Sequence, residues 1–348
     1  MIKTLAIETS CDDTSISIIS FDWNKFHNDQ MISVSQIDDH QKHGGVVPEL
    51  ASRLHRQKII KLLEKIWLDK IKDVDFITVT AKPGLPGSLL VWVNTAYMLG
   101  EFLDKPVLDI DHINAHIFSI YLERTIQDID FPMVTLTASG GHNQIYLLKE
   151  LSESTDTDLD VVTIKDKKIS VQMLGASRDD ASWECFDKVA RMLGGEYPGW
   201  PWISQMAKKG SSNPKVKFKR IFLDKDKYEF SFSWMKSKAY YLLEQLNKED
   251  TELTESLKQD ICYEFQEAMV HMLGKKIIQA GKEYQAKSIV LTWGVSSNDR
   301  LFEYVKNRSQ KKLNHNFKVL RPISKKYSMD NGAMVWVMWI IRYMGDNE

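Results

Sequence analysis

At 348 residues, 43% of them hydrophobic, the chain is long enough to bury a sizeable core in two domains or one two-lobed unit. Its formal net charge of -1 excludes reading a nucleic-acid partner from bulk electrostatics, so any such contact has to come from local patches. Cys11, Cys185 and Cys262 stand far apart with no CxxC pair, against both a disulfide framework and a cysteine zinc site. No apolar run approaches the ~18 residues of a membrane span, and the start turns polar at Glu8, so a cytoplasmic protein without a signal peptide is expected.

In chain order, residues 3–20 alternate apolar and polar around Ser10-Cys11-Asp12-Asp13, the pattern of a β-hairpin with a Ser/Asp-rich turn. A helix is expected at 49–68 and an apolar strand at 74–80, then the breaker-rich segment 82–87, a helix at 88–103 and a strand at 106–110. Residues 132–148 repeat the strand, polar turn, strand unit, which suggests an internal duplication. The second half predicts a helix at 180–193, a Lys-rich irregular stretch to about 228, helices at 234–246 and 251–284, a buried strand at 287–292 and a last helix from about 330 to 344. Strands alternating with helices mean a mixed α/β sheet, and two closely joined lobes predict a ligand cleft. The basic stretches 165–168, 208–220 and 325–326 fit solvated faces better than nucleic-acid footprints.

His112-Ile113-Asn114-Ala115-His116 puts two imidazoles on one helical face, close enough to share a metal. Ile113 stands where a zinc peptidase HExxH motif has its glutamate, and the pair needs a third ligand. Asp330 opens the last helix, where a carboxylate can simply cap the N-terminus, the reading that sequence alone favours. The glycines of Ser139-Gly140-Gly141-His142 let backbone N–H groups approach a phosphate, although an ordinary tight turn uses the same residues. Gly294-Val295-Ser296-Ser297-Asn298, between an apolar strand and a helix, offers a second such turn, with Asn298 able to hydrogen-bond a base or ribose.

Eight segments in order resemble the tRNA threonylcarbamoyladenosine transferase family across essentially the whole chain: residues 7–14, 44–53, the His112/His116 pair, 139–142, Phe186-Asp187-Lys188-Val189-Ala190, Tyr197-Pro198-Gly199, Phe230-Ser231-Phe232-Ser233 and 330–334. The resemblance implies a two-lobed α/β fold of the actin, Hsp70 and sugar-kinase type with duplicated RNase H-like lobes, one lobe 1–131 plus 328–348 and the other 132–327. It implies transfer of a threonylcarbamoyl group from threonylcarbamoyl-AMP to N6 of the adenosine 3′ to the anticodon, in tRNAs reading codons that begin with A. It also turns His112, His116 and Asp330 into a metal site, suited to Fe(II) with Zn(II) as the rival. Carried over residue by residue, Thr137, Ala138, Ser139, Gly140, Gly141 and Asn298 line the adenylate, Asp187 reaches its adenosine, position 200 (Trp200) lies against the substrate, and Asp12 does acid/base or positioning work. Implied partners are tRNA and helper subunits, among them a smaller protein of related fold and an ATPase, with no membrane. The HxxxH pair leaves a metallopeptidase as the alternative.

The tryptophans depart from this pattern. Trp92, Trp183, Trp200, Trp234, Trp293 and Trp339 stand where the family has glycine, and Trp23, Trp67, Trp202 and Trp336 where glycine or another small residue fits. Seventeen glycines in 348 residues are about 5%, below the usual ~7%, and ten more would bring 27. The pattern predicts a gene in which UGA encodes glycine, translated with a code that reads UGA as tryptophan. The other reading is an inactive nucleotide-binding paralogue with genuine tryptophans.

Overall fold

The computed structural model describes residues 1–66, 68–138, 141, 143–151, 160–164, 167–220, 228–312 and 318–337. The chain forms two compact units: Met1–Phe131 with Leu148–Val171 and the chain from Leu320, and Pro132–Leu147 with Gln172–Val319.

The first hairpin forms as its alternation predicts. β1 (Ile2–Glu8) and β2 (Asp13–Phe21) pair antiparallel with Glu8 opposite Ser15, which leaves residues 9–12 as the turn. The polar edge strand β3 (Phe26–Ser35), half exposed along its length, extends the hairpin beyond β2; its weak apolar pattern gave no strand signal. On the other side β4 (Phe76–Lys82) and β5 (Val107–Asp111) add in parallel, giving the order β3-β2-β1-β4-β5. The short α1 (Ile37–Gln41) and α3 (Leu68–Lys72) flank α2 (Pro48–Lys65), and α4 (Pro86–Leu103) follows β4. The sheet needs such helical cover because its parallel strands are apolar, and Leu5, Ile7, Ile16, Val79, Trp92 and Ala96 make one cluster. After β5 the chain turns at once into α5 (His112–Phe118), every residue of which is buried.

The second sheet comprises β6 (Met133–Ala138), β7 (Asn143–Glu150), β8 (Asp160–Ile164), β9 (Lys167–Ala176), β10 (Ser288–Thr292) and β11 (Lys318–Leu320), in the order β11-β10-β6-β7-β9-β8. With β6, β7, β9, β10 and β11 matched to β1 through β5, the order of the first sheet returns, with β8 added at the edge. β10 runs parallel to β6 as β4 does to β1. The duplication suggested by the two hairpins is thus a duplication of sheet topology.

The helices here are α6 (Ser182–Met192), α7 (Gly199–Ala207), α8 (Ser233–Lys248), α9 (Glu255–Glu283) and α10 (Asp299–Lys312). α7 corrects the expectation of an irregular stretch after residue 193. Its Gly199-Trp200-Pro201 start looks like a breaker, but the first turn of a helix lacks acceptors for its N–H groups, so proline is tolerated there. The Asp187 carboxylate accepts the Gly199 N–H at 2.6 Å, and Ile203, Met206 and Ala207 bury the apolar face of the helix.

A last helix begins at Gly332 and is described to residue 337. Its start rests directly on the first hairpin. The Gly332 N–H donates to Ser15 Oγ at 3.0 Å, and a Cβ on Gly332 would lie 2.6 Å from the Ala6 carbonyl oxygen. Only glycine permits this approach without displacing the helix.

Candidate metal centre

The β5–α5 junction sets the histidines. Asp111 caps α5, accepting the Asn114 N–H at 3.0 Å, so the helix begins at His112 and one turn separates the two imidazoles. Their rings meet edge to face with centroids 4.7 Å apart. Asp330 Oδ1 lies 2.9 Å from His116 Nε2 and 3.7 Å from His112 Nε2. One ligand atom from each of the three residues falls within 4.8 Å of the others. Ligands held at ~2.0–2.2 Å from one ion stand about this far apart, so the donor set fits a divalent metal.

Asp330 is not the helix cap. Asn331 takes that role, its Oδ1 accepting the Met334 N–H at 3.1 Å, and the Asp330 carboxylate turns to the histidines instead. The capping reading favoured by sequence is therefore corrected by one position.

Glu8, at the end of β1, completes the cluster and was not singled out by sequence reasoning. Its Oε2 stands 3.1 Å from His112 Nδ1 and also accepts the Thr80 hydroxyl, while Oε1 accepts the Ser10 N–H at 2.6 Å. The signal available in the sequence was a lone acidic residue at the end of an otherwise buried strand. A carboxylate on the far nitrogen of a metal-binding histidine fixes its tautomer and orientation. Burial works to raise the Glu8 carboxyl, but the His112 charge and hydrogen bond leave it below the ordinary value. Burial likewise works to lower His112, and Glu8 with Asp330 overcomes it, lifting the imidazole to about 9. Burial takes His116 down to about 4 against the pull of Asp330. Ile113 follows His112 inside a buried helix, so no glutamate base stands where a zinc peptidase would carry one.

Asp12 lies in the β1–β2 turn, where burial and then the Asp330 charge raise its carboxyl. In the second unit, Thr137 and Ala138 end β6 fully buried, with the Thr137 hydroxyl donating to the Gln144 carbonyl at 3.3 Å. Gly141 is exposed with open space around it, and Ser139 and Gly140 fall outside the described residues. Asp187 is half-buried on α6 and already holds the α7 N-terminus. Asn298 caps α10 through the Leu301 N–H at 3.1 Å.

Trp200 packs against Trp183 with ring centroids 4.9 Å apart and the rings tilted by 30°. Trp183 in turn covers the second glycine turn, since a Cβ on Gly294 would lie 2.2 Å from its Nε1. The volume over that turn is filled by indole. Two other tryptophans, Trp23 (φ 72°) and Trp293 (φ 64°), occupy the left-handed backbone region that favours glycine. The buried indole N–H groups of Trp92, Trp234 and Trp336 have no hydrogen-bond partner among the described residues. Trp67 and Trp339 fall outside them.

A duplicated β3-β2-β1-β4-β5 sheet order that carries a two-histidine, one-carboxylate cluster defines a protein of the actin and sugar-kinase fold class with a preformed set of metal ligands. A crystal structure of HypF from T. kodakarensis superposes with a TM-score of 0.56 at 13% identity, over 99% of this chain and 48% of that one, so this chain spans about half of HypF. The family profile TsaD, tRNA N6-adenosine threonylcarbamoyltransferase, matches residues 30–336. The tRNA N6-adenosine threonylcarbamoyltransferase of Staphylococcus aureus (strain JH9) is 36% identical over 339 residues, 97% of this chain and 90% of that protein. The chain belongs to the tRNA N6-adenosine threonylcarbamoyltransferase family, and its activity is threonylcarbamoyl transfer to tRNA. Among the described residues no helix is long and apolar enough to cross a membrane.

Proposed function

We propose that the chain takes the threonylcarbamoyl group from threonylcarbamoyl-AMP and places it on N6 of the adenosine 3′ to the anticodon in tRNAs reading codons that begin with A. The observation that carries the site assignment is the convergence of His112, His116 and Asp330 within 4.8 Å, with Glu8 on the far nitrogen of His112. A divalent metal held by these three residues, Fe(II) in the first place and Zn(II) as the alternative, supplies Lewis-acid polarisation of the mixed anhydride when bound. Glu8 holds the proton of His112 on Nδ1, which leaves Nε2 as the coordinating atom. Asp12 accepts the proton that the N6 amine gives up as the new C–N bond forms and AMP departs. Its raised proton affinity suits that task.

In the second unit, Thr137 to Gly141 and Asn298 hold the adenylate. The Asn298 oxygen is committed to capping α10, so its amide N–H2 is the group offered to the ligand. Asp187 supports the adenosine partly by fixing the start of α7. Helper subunits, one a smaller protein of related fold and one an ATPase, work with the chain in the cytoplasm. The exposed Leu90, Tyr97, Met98 and Phe102 of α4 supply an apolar surface for the related-fold helper.

The test is mass spectrometry of bulk tRNA from cells depleted of this chain and complemented with wild type or the His112→Ala, His116→Ala variant. Loss of the modified adenosine on depletion, restored only by wild type, is expected. Unchanged modification in depleted cells overturns the proposal.

A further inference from the structure

A basic pocket in the second unit is lined by residues other than those assigned above. It is a cavity of about 260 Å³ lined by Arg220, Glu267, His271, Arg300, Tyr304 and Arg308. Its walls follow from helical spacing, because Arg300, Tyr304 and Arg308 recur every four residues along α10, and Glu267 and His271 stand four apart on α9. Arg220 closes the basic stretch 208–220, which reads from sequence as a solvated face.

The three guanidiniums are held differently. Glu267 grips Arg300 bidentately, Nε to Oε1 at 2.5 Å and Nη2 to Oε2 at 2.7 Å, and Glu303 adds a further negative charge near it. That fork uses two of the five N–H donors of Arg300 and fixes the plane of the rest. Arg308 lies over the Tyr304 ring, 5.3 Å from its centroid, an arrangement that orients the guanidinium without neutralising it. Arg220 and Arg308 are both exposed, while the Arg300 guanidinium is gripped by a carboxylate. All three cations bear on one hydroxyl: burial raises the Tyr304 phenol, and Arg308, Arg220 and Arg300 pull it back.

Converging guanidiniums with spare donors match a tetrahedral oxyanion, whose oxygens accept forked hydrogen bonds. We infer that this pocket binds a phosphate group, and that in the working enzyme the group is a backbone phosphodiester of the tRNA. The inference rests on the family activity, which makes tRNA the substrate. On a chain with net charge -1, tRNA must be gripped at a local patch, and this pocket is one.

The test compares wild-type chain, Arg220→Gln/Arg308→Gln and, as an equal change in charge at exposed positions elsewhere, Lys248→Gln/Lys282→Gln. Binding of unmodified tRNA is followed by fluorescence anisotropy from about 50 to 300 mM salt, and binding of inorganic phosphate alone by 31P line broadening. Metal content and melting temperature are measured for each chain to confirm intact folding. The arginine variant is expected to bind tRNA about tenfold more weakly at 100 mM salt, with the slope of log affinity against log salt reduced by about one to two, and to lose phosphate broadening. The lysine control should change the affinity much less. Equal affinity and slope for wild type and arginine variant overturn the inference. Phosphate binding lost with tRNA binding unchanged overturns the RNA assignment and marks a small-anion site. A wild-type chain that binds no tRNA at any salt counts against the functional reading itself; the pocket is then judged on the phosphate arm, where absence of broadening overturns it.

Discussion

Glu8 Oε2 stands 3.1 Å from His112 Nδ1, so a carboxylate at the end of the first strand orients an imidazole 104 residues later. Glu8→Gln should therefore lower metal affinity by about 10–100-fold while His112, His116 and Asp330 all remain. Metal titration of the stripped protein, followed by isothermal calorimetry, checks this. Affinity equal to wild type would show that Glu8 plays no part in the centre.

Asp330 and Asn331 divide two roles between adjacent residues. Asp330→Asn should abolish tight metal binding and leave the melting temperature of the metal-free protein close to wild type. Asn331→Ala should do the reverse, costing about 1 kcal/mol through the lost helix cap with metal content retained. If Asn331→Ala loses metal and Asp330→Asn does not, the assignment is inverted.

Asp187→Ala should weaken adenylate binding without changing metal content, because its bonded partner is the Gly199 N–H and not the histidine cluster. Loss of that bond leaves the α7 N-terminus without its acceptor, at a cost of about 1–2 kcal/mol. Equilibrium dialysis with a non-hydrolysable adenylate and metal analysis on the same sample separate the effects. A metal-depleted variant would refute the separation.

Asp179 gathers the Phe230-Ser231-Phe232-Ser233 segment at the start of α8. Its Oδ1 accepts the Phe232 N–H at 2.7 Å, and its Oδ2 accepts the Ser233 hydroxyl at 2.8 Å and the Ser231 hydroxyl. Burial works to raise this carboxyl, and the hydrogen bonds bring it below the ordinary value. A carboxylate depressed in the folded state stabilises above its unfolded pKa, near 4, and that contribution fades as pH falls through the folded value. Asp179→Asn should cost roughly 1 kcal/mol at pH 7, a modest figure because the residue is exposed, and the difference from wild type should shrink below pH 4. Urea denaturation at pH 7, 4 and 3 reads it directly, and a pH-independent difference would rule out the charge as its source.

The tryptophans give the least conventional expectation. A side chain in the left-handed region costs about 1–2 kcal/mol, and a buried N–H without a partner about 1–3 kcal/mol. Trp23, Trp293, Trp92, Trp234 and Trp336 each carry one of these burdens, and Trp183 with Trp200 fills the space over Gly294. The ten-glycine counterpart should bind adenylate more tightly and melt higher than the chain as written, and the gene should carry UGA at these ten positions. Equal affinity and equal melting temperature, or UGG codons, would establish the tryptophans as native.

Local pattern decided the elements. Alternation gave the two hairpins, apolar periodicity gave α2, α4, α6, α8 and α9, and the four-residue spacing put His112 beside His116, because each signal depends on residues close in the chain. The α7 helix escaped notice, since its breakers are harmless only in a first turn that a distant carboxylate caps. Ligand identity was likewise beyond local pattern: Asp330 and Asn331 are equally good caps as sequence, and only the packing of Gly332 against Ala6 and Ser15 turns one toward the histidines and the other toward the helix. Glu8 and the Arg220, Arg300 and Arg308 pocket have the same origin. Each joins charges from segments far apart in sequence: burial makes the Glu8 charge consequential, whereas Arg220 and Arg308 stay exposed and are brought together only by the fold.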